Sequence, residues 1–132
     1  MGDLAEGQGA YAVGIPSIDA LHVELEERLA ALARADDDPR AELAALMDHL
    51  QRHFDHEEAL MQEASFPMAE CHAREHRSVL EVVTEVRRLL DAGDAAPLGR
   101  LAPAMLEWFA VHATSMDAAL AAWLKRASPQ PD

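Results

Sequence analysis

Seven residues of metal-ligand type stand at helical spacing where a helical protein would place leucine, and they constrain this chain more than any other feature. Apolar residues spaced three and four apart mark the buried stripe of an amphipathic helix. One stripe reads Ile18, His22, Leu25, Leu29 and Leu32. A second reads Leu43, Leu46, Leu50, His53, Glu57 and Leu60, with Phe54 and Met61 alongside. A third reads His72, His76, Val79, Val83, Val86 and Leu90. The fourth reads Met105, Trp108, Phe109, His112, Met116, Leu120 and Trp123, with Asp117 beside Met116. A buried, unpaired carboxylate is costly, and an unpartnered imidazole is also unfavourable. One such residue taken alone would be a core histidine with a local hydrogen bond. Seven on four converging stripes need a shared partner. Imidazole and carboxylate together are ligands for iron, zinc and manganese, and a bound cation offsets the burial of deprotonated donors.

The four stripes predict four helices and no strands, near 17–34, 39–63, 68–91 and from about 102 or 103 to 126. Ser17 is the expected N-cap of the first, with Asp36, Asp37 and Asp38 ending it as a solvated turn. Asp38 and Pro39 open the second. Gly93 suits a left-handed end to the third. Pro97 and Pro103 resist a helix interior, which delays the expected start of the fourth. Short connections make consecutive helices antiparallel, so the expected fold is all-α, an up-down-up-down four-helix bundle. It is read as one domain over 1–132: an extended arm at 1–16, the bundle at about 17–127 and a short tail at 128–132. Alternating direction then brings His22, His53 with Glu57, His72 with His76, and His112 with Asp117 to one level. His53 and Glu57 are four apart, as are His72 and His76, so each pair shares a helix face.

Charge removes several partners. Lys and Arg number 11 against 24 Asp and Glu, a net charge of −13 with histidine neutral. That charge repels nucleic-acid phosphates and anionic lipid heads. No apolar run approaches ~18 residues, so no membrane span is expected. The single cysteine, Cys71, allows no internal disulfide and suits a reducing compartment. Residues 1–6 show no basic stretch leading into an apolar run, so a cytoplasmic location is expected. His49 and His56 read as solvated flank histidines. Glu24, Glu26, Glu27, Glu42, Glu58 and Glu63 read as solvent-facing charges. Cys71 reads as a structural or exposed thiol, and Trp108, Phe109 and Trp123 as core.

Four ordered segments carry a family resemblance: Gly14 to His22 (GIPSIDALH), His53 to Met61 (HFDHEEALM), Phe66-Pro67 followed by His72 and His76, and Trp108 ahead of His112 and Asp117. Each is weak alone, but the ordered set resembles the hemerythrins, in their single-domain bacterial form, over nearly the whole chain. The resemblance implies two iron ions joined by an oxo or hydroxo bridge. His72, His76 and His112 would hold one and His22 and His53 the other, with Glu57 and Asp117 bridging both. Ligand counting then leaves one position open on the two-histidine iron, where dioxygen would bind. The implied role is reversible dioxygen binding in a carrier, store or sensor rather than an enzyme. A di-iron enzyme handling peroxide or nitric oxide, and an iron or redox signalling module with its own unidentified partner, remain as alternatives. Four residues depart from the family pattern. Leu21 stands where glutamine is usual, Tyr11 where the arm often has tryptophan, Phe66 for tyrosine and Ala113 for isoleucine. The smaller Ala113 is expected to widen the pocket near the irons.

Overall fold

A computed structural model describes residues 10–34 and 38–127. Five helices follow in order: α1 (Pro16–Ala33), α2 (Pro39–Glu63), α3 (Ala69–Asp91), α4 (Ala96–His112) and α5 (Ala118–Ala127). A π turn, Ala113–Asp117, joins α4 to α5, so the two form one continuous fourth rod. α1 packs on α2 and α4, and α3 packs on α2 and α4. This closed order of neighbours, with short connections, is the expected up-down-up-down bundle. No strand occurs among the described residues, and no helix among them is long and apolar enough to cross a membrane.

Local chemistry sets the helix ends. Pro39 opens α2, and the Asp38 carboxylate accepts from the Ala41 N–H at 3.1 Å, as the sequence predicts. α3 ends on Gly93 at φ +96°, where Gly93 N–H donates to Leu90 and Asp94 N–H to Leu89. Two expectations need correction. Ser17 does not cap α1: the helix begins at Pro16, its N-cap Ile15 offers no side-chain bond, and Ser17 Oγ lies 2.8 Å from His56 Nε2. The fourth rod begins at Ala96, ahead of both prolines. Pro97 falls in the first turn, where a missing N–H costs nothing, and the exposed Pro103 is carried inside the helix.

Where it is described, the arm combines a turn with extended backbone at Ile15. Residues 10 and 11 form a turn, and the Asp19 carboxylate accepts from Val13 N–H (2.6 Å) and Gly14 N–H (3.1 Å). Lys125 on α5 donates to the Val13 carbonyl at 2.9 Å. Gly14 sits at φ +88°, and a Cβ there would lie 2.5 Å from Lys125 Nζ. The expected arm residues 1–9, the Asp36-Asp37 part of the acidic run and the tail 128–132 lie outside the described residues.

The apolar core falls into two parts. The larger holds Leu25, Leu29, Leu46, Leu50, Val83 and Phe109, among others. The smaller holds Ile18, Met61, Phe66 and Leu120. The seven sequence-predicted residues lie where the two parts meet, with Ile18, Met61 and Leu120 on one side and Leu25, Leu50, Val79 and Phe109 on the other. The bundle is thus a polar layer enclosed by apolar layers above and below.

Candidate metal centre

All seven residues reach that layer, and each is at most 3% exposed. Their donor atoms form two sets, within each of which all lie less than 4.8 Å apart. One set is Glu57, His72, His76, His112 and Asp117; the other is His22, His53, Glu57 and Asp117. The two carboxylates are divided between the sets. Glu57 Oε1 lies 3.1 Å from His76 Nε2 and 3.4 Å from His72 Nε2, while its Oε2 lies 2.9 Å from His53 Nε2. Asp117 Oδ1 lies 3.0 Å from His72 Nε2 and 3.2 Å from His112 Nε2, while its Oδ2 lies 2.9 Å from His22 Nε2.

The π turn explains how His112 and Asp117 meet. Five residues advance about 500° in an α-helix, which leaves such a pair about 140° apart. A π turn hydrogen-bonds residues five apart and brings them onto one face. The hydroxyls of Thr114 and Ser115 also donate back to the carbonyls of Ala110 (2.7 Å) and Val111.

Every imidazole of the layer turns Nε2 inward. Behind them, His22 Nδ1 donates to the Tyr11 carbonyl at 2.9 Å, His76 Nδ1 to Glu58 at 2.9 Å and His112 Nδ1 to Glu75 at 2.7 Å. His53 Nδ1 meets His49 Nε2 at 3.0 Å. Phe54 stacks on His76 at 3.9 Å, Trp108 on His112 at 4.5 Å, and Phe109 sets its edge against His22 at 4.9 Å.

Several of these supports escape sequence reading. His49 is fully buried, not solvated on a flank. Its position four residues before His53 is the signal that could have found it. Glu24 and Glu58 are not merely solvent-facing. Each is half-buried with an oxygen 3.1 Å from His49 Nδ1 or 2.9 Å from His76 Nδ1 respectively. Glu75, on α3, is set apart by no sequence pattern. His56, expected to be solvated, is half-buried against Ser17; Cys71 is exposed, and Trp108, Phe109 and Trp123 pack with the apolar core, as expected.

The buried histidines and carboxylates of the layer shift one another's protonation strongly. Burial alone would push the His22 imidazole down, but the carboxylates of Asp117 and Glu57 overcome it and raise His22 to about 10. His72 is raised to about 9 by the same two carboxylates, again against burial. Burial opposes ionisation of Glu57 and Asp117, yet the surrounding histidines hold both well below the usual carboxylate range. Burial, and then the neighbouring His53, push His49 down to about 4. Glu57 Oε1, Asp117 Oδ1 and the Nε2 atoms of His72, His76 and His112 are buried without a hydrogen-bond partner. Buried polar groups rarely stay orphaned, and these five converge on one point. The donors present therefore fit a metal ion.

Sequence comparison agrees with this chemistry. The family model described as Hemerythrin HHE cation binding domain matches residues 13–124. A protein of Ralstonia nicotianae named bacteriohemerythrin is 38% identical over 121 residues, which is 91% of this chain and 88% of that protein. A four-helix bundle, a buried layer of histidines and carboxylates, and similarity along nearly the whole length lead to one conclusion: the chain belongs to the hemerythrin family, whose members bind non-haem iron.

Proposed function

We propose that this chain binds dioxygen reversibly at a di-iron centre, with His72, His76 and His112 at one iron, His22 and His53 at the other, and Glu57 and Asp117 spanning both. The observation that carries this reading is the division of each carboxylate, one oxygen toward each histidine set. Two ferrous ions held by these seven residues would supply the electrons that dioxygen takes up on binding and returns on release. The residues determine where and how safely that happens. The His22–His53 set offers four protein donors against five in the other, so the exchangeable position belongs on its side. Five neutral imidazoles against two carboxylates stabilise the reduced metal and disfavour the high oxidation states of oxidases. Phe54, Trp108 and Phe109 close the layer against water, which limits irreversible oxidation. His22 and His72 hold protons while the site is metal-free and surrender them on loading.

The test is to count iron in the purified protein, reduce it without oxygen and follow the visible spectrum as oxygen is added and withdrawn. A charge-transfer band that comes and goes, with two irons per chain, is the expected result. An iron-free protein, or one oxidised irreversibly on first exposure, overturns the reading.

Ala113 gives a further expectation. It is fully buried in the larger apolar core, one residue beyond His112. Ala113→Ile adds side-chain volume at a packed position beside the layer, at a cost of about 1–3 kcal/mol in stability. The oxygen-dependent band of the iron-loaded variant is expected to outlast that of the wild type. Equal lifetimes would refute the view that Ala113 loosens the site.

A further inference from the structure

His53 is supported differently from its companions. His22 donates to a backbone carbonyl, and His76 and His112 donate directly to half-exposed glutamates. His53 Nδ1 instead meets a second imidazole, His49 Nε2, at 3.0 Å. His49 is one turn earlier on α2 and has no exposed surface, and its ring stands edge-on to His53 at 85°. Its Nδ1 lies 3.1 Å from Glu24 Oε2 on α1, in ion-pair range but without the alignment of a full hydrogen bond. Arg52 holds the same Glu24 oxygen from the solvent side at 3.0 Å, and also holds Asp48 at 3.0 Å.

Proton accounting gives this chain a direction. For His53 Nε2 to offer its electron pair inward, its proton must sit on Nδ1. His49 Nε2 must then be bare to accept it, and the His49 proton sits on Nδ1, facing Glu24. Leucine at position 49 would satisfy the core at lower cost, but would leave the His53 N–H buried without an acceptor. A buried polar residue whose polar contacts reach only a candidate ligand and a carboxylate is placed to serve that ligand.

We propose that His49, backed by Glu24, is a positioning residue that fixes the tautomer and ring orientation of His53 and strengthens it as a donor in the His22–His53 set. The assignment rests on the two-metal reading above. Outer partners of ligating histidines commonly govern metal retention in this way.

Cobalt(II) titration of the metal-free full chain tests it, with wild type, His49→Leu and His49→Gln compared. His49→Leu is expected to hold the weaker of two equivalents about 10–100-fold less tightly, with the stronger unchanged. In His49→Gln the amide oxygen can accept from His53 and the amide nitrogen can face Glu24, so affinity should return to within a few-fold of wild type. Metal-free His49→Leu should melt no lower than the metal-free wild type, because without metal the His53 proton can sit on Nε2 and be accepted by Glu57 Oε2, 2.9 Å away, while the substitution removes a buried polar group. Equal retention in His49→Leu, a His49→Gln as weak as His49→Leu, or a marked drop in metal-free melting would each overturn the assignment. A wild type that takes up fewer than two equivalents would overturn the two-metal reading, and this assignment with it.

Discussion

Glu57→Leu is expected to lower metal uptake from two ions per chain to one or fewer, with the remaining affinity down by more than about 100-fold. Removing a partner that merely orients a ligand typically costs about 10–100-fold. Glu57 is fully buried and stands in both donor sets, so its loss should exceed that range. Four imidazoles, His22, His53, His72 and His76, have Nε2 within 3.8 Å of its carboxylate. Glu57→Gln should fail nearly as badly. The amide keeps the shape but turns a donor NH2 toward one histidine set, where an electron pair is required. Competition with a chromophoric chelator measures both variants, and circular dichroism confirms the retained helices. Two ions bound at wild-type affinity in Glu57→Leu would refute the spanning role.

Stripping the metal is expected to lower the unfolding midpoint by about 15 °C at pH 9. Metal at ~1,000 times its dissociation constant contributes about 4 kcal/mol, and each kcal/mol moves the midpoint of a domain this size by about 4 °C. The effect should depend on pH in a determined direction. His22 and His72 titrate near 10 and 9 in the metal-free fold against 6.5 unfolded. Their contribution is complete below about 6.5 and is lost as pH rises through 9 to 10. Glu57 and Asp117 are lowered, so their contribution holds above the ordinary carboxylate range and is lost as pH falls below it. The metal-free chain should be most stable between about pH 5 and 6.5. Chelation should therefore cost less at pH 6 than at pH 9. Loading at pH 7 should release the protons of His22 and His72, which titration of an unbuffered solution will count. A chelation effect independent of pH would contradict the arrangement of charges in the layer.

What could be read from the sequence followed from periodicity. Leu25, Leu29, Leu46 and Val83 announce their stripes, and His22, Glu57 and His76 stand out because each interrupts one. Residues that act across the bundle left no such mark. Glu58 and Glu75 sit among many acidic residues on exposed-looking positions, and only three-dimensional packing shows which imidazole each accepts from. Helix propensity misplaced the start of the fourth rod, because Pro103 counts against a helix interior while packing of Leu101, Ala102 and Met105 into the core pulls the other way. His49 was open to discovery. It lies four before His53, as His53 lies four before Glu57, yet leucine at 46 and 50 drew the stripe past it.

The five-residue turn between His112 and Asp117 also sets which changes in chain length this protein can accept. The turn stores one surplus residue. Deleting Ser115 would let it relax into an ordinary α-helix and leave the two ligand candidates four apart, the spacing that already serves His53 and Glu57. Inserting a residue at the same place offers no such relief, since Asp117, Leu120 and Ala121 would all rotate by about 100° away from the layers they now fill. Shortening and lengthening are therefore unequal here: the fourth rod can lose a residue and keep its register, but it has no room to gain one.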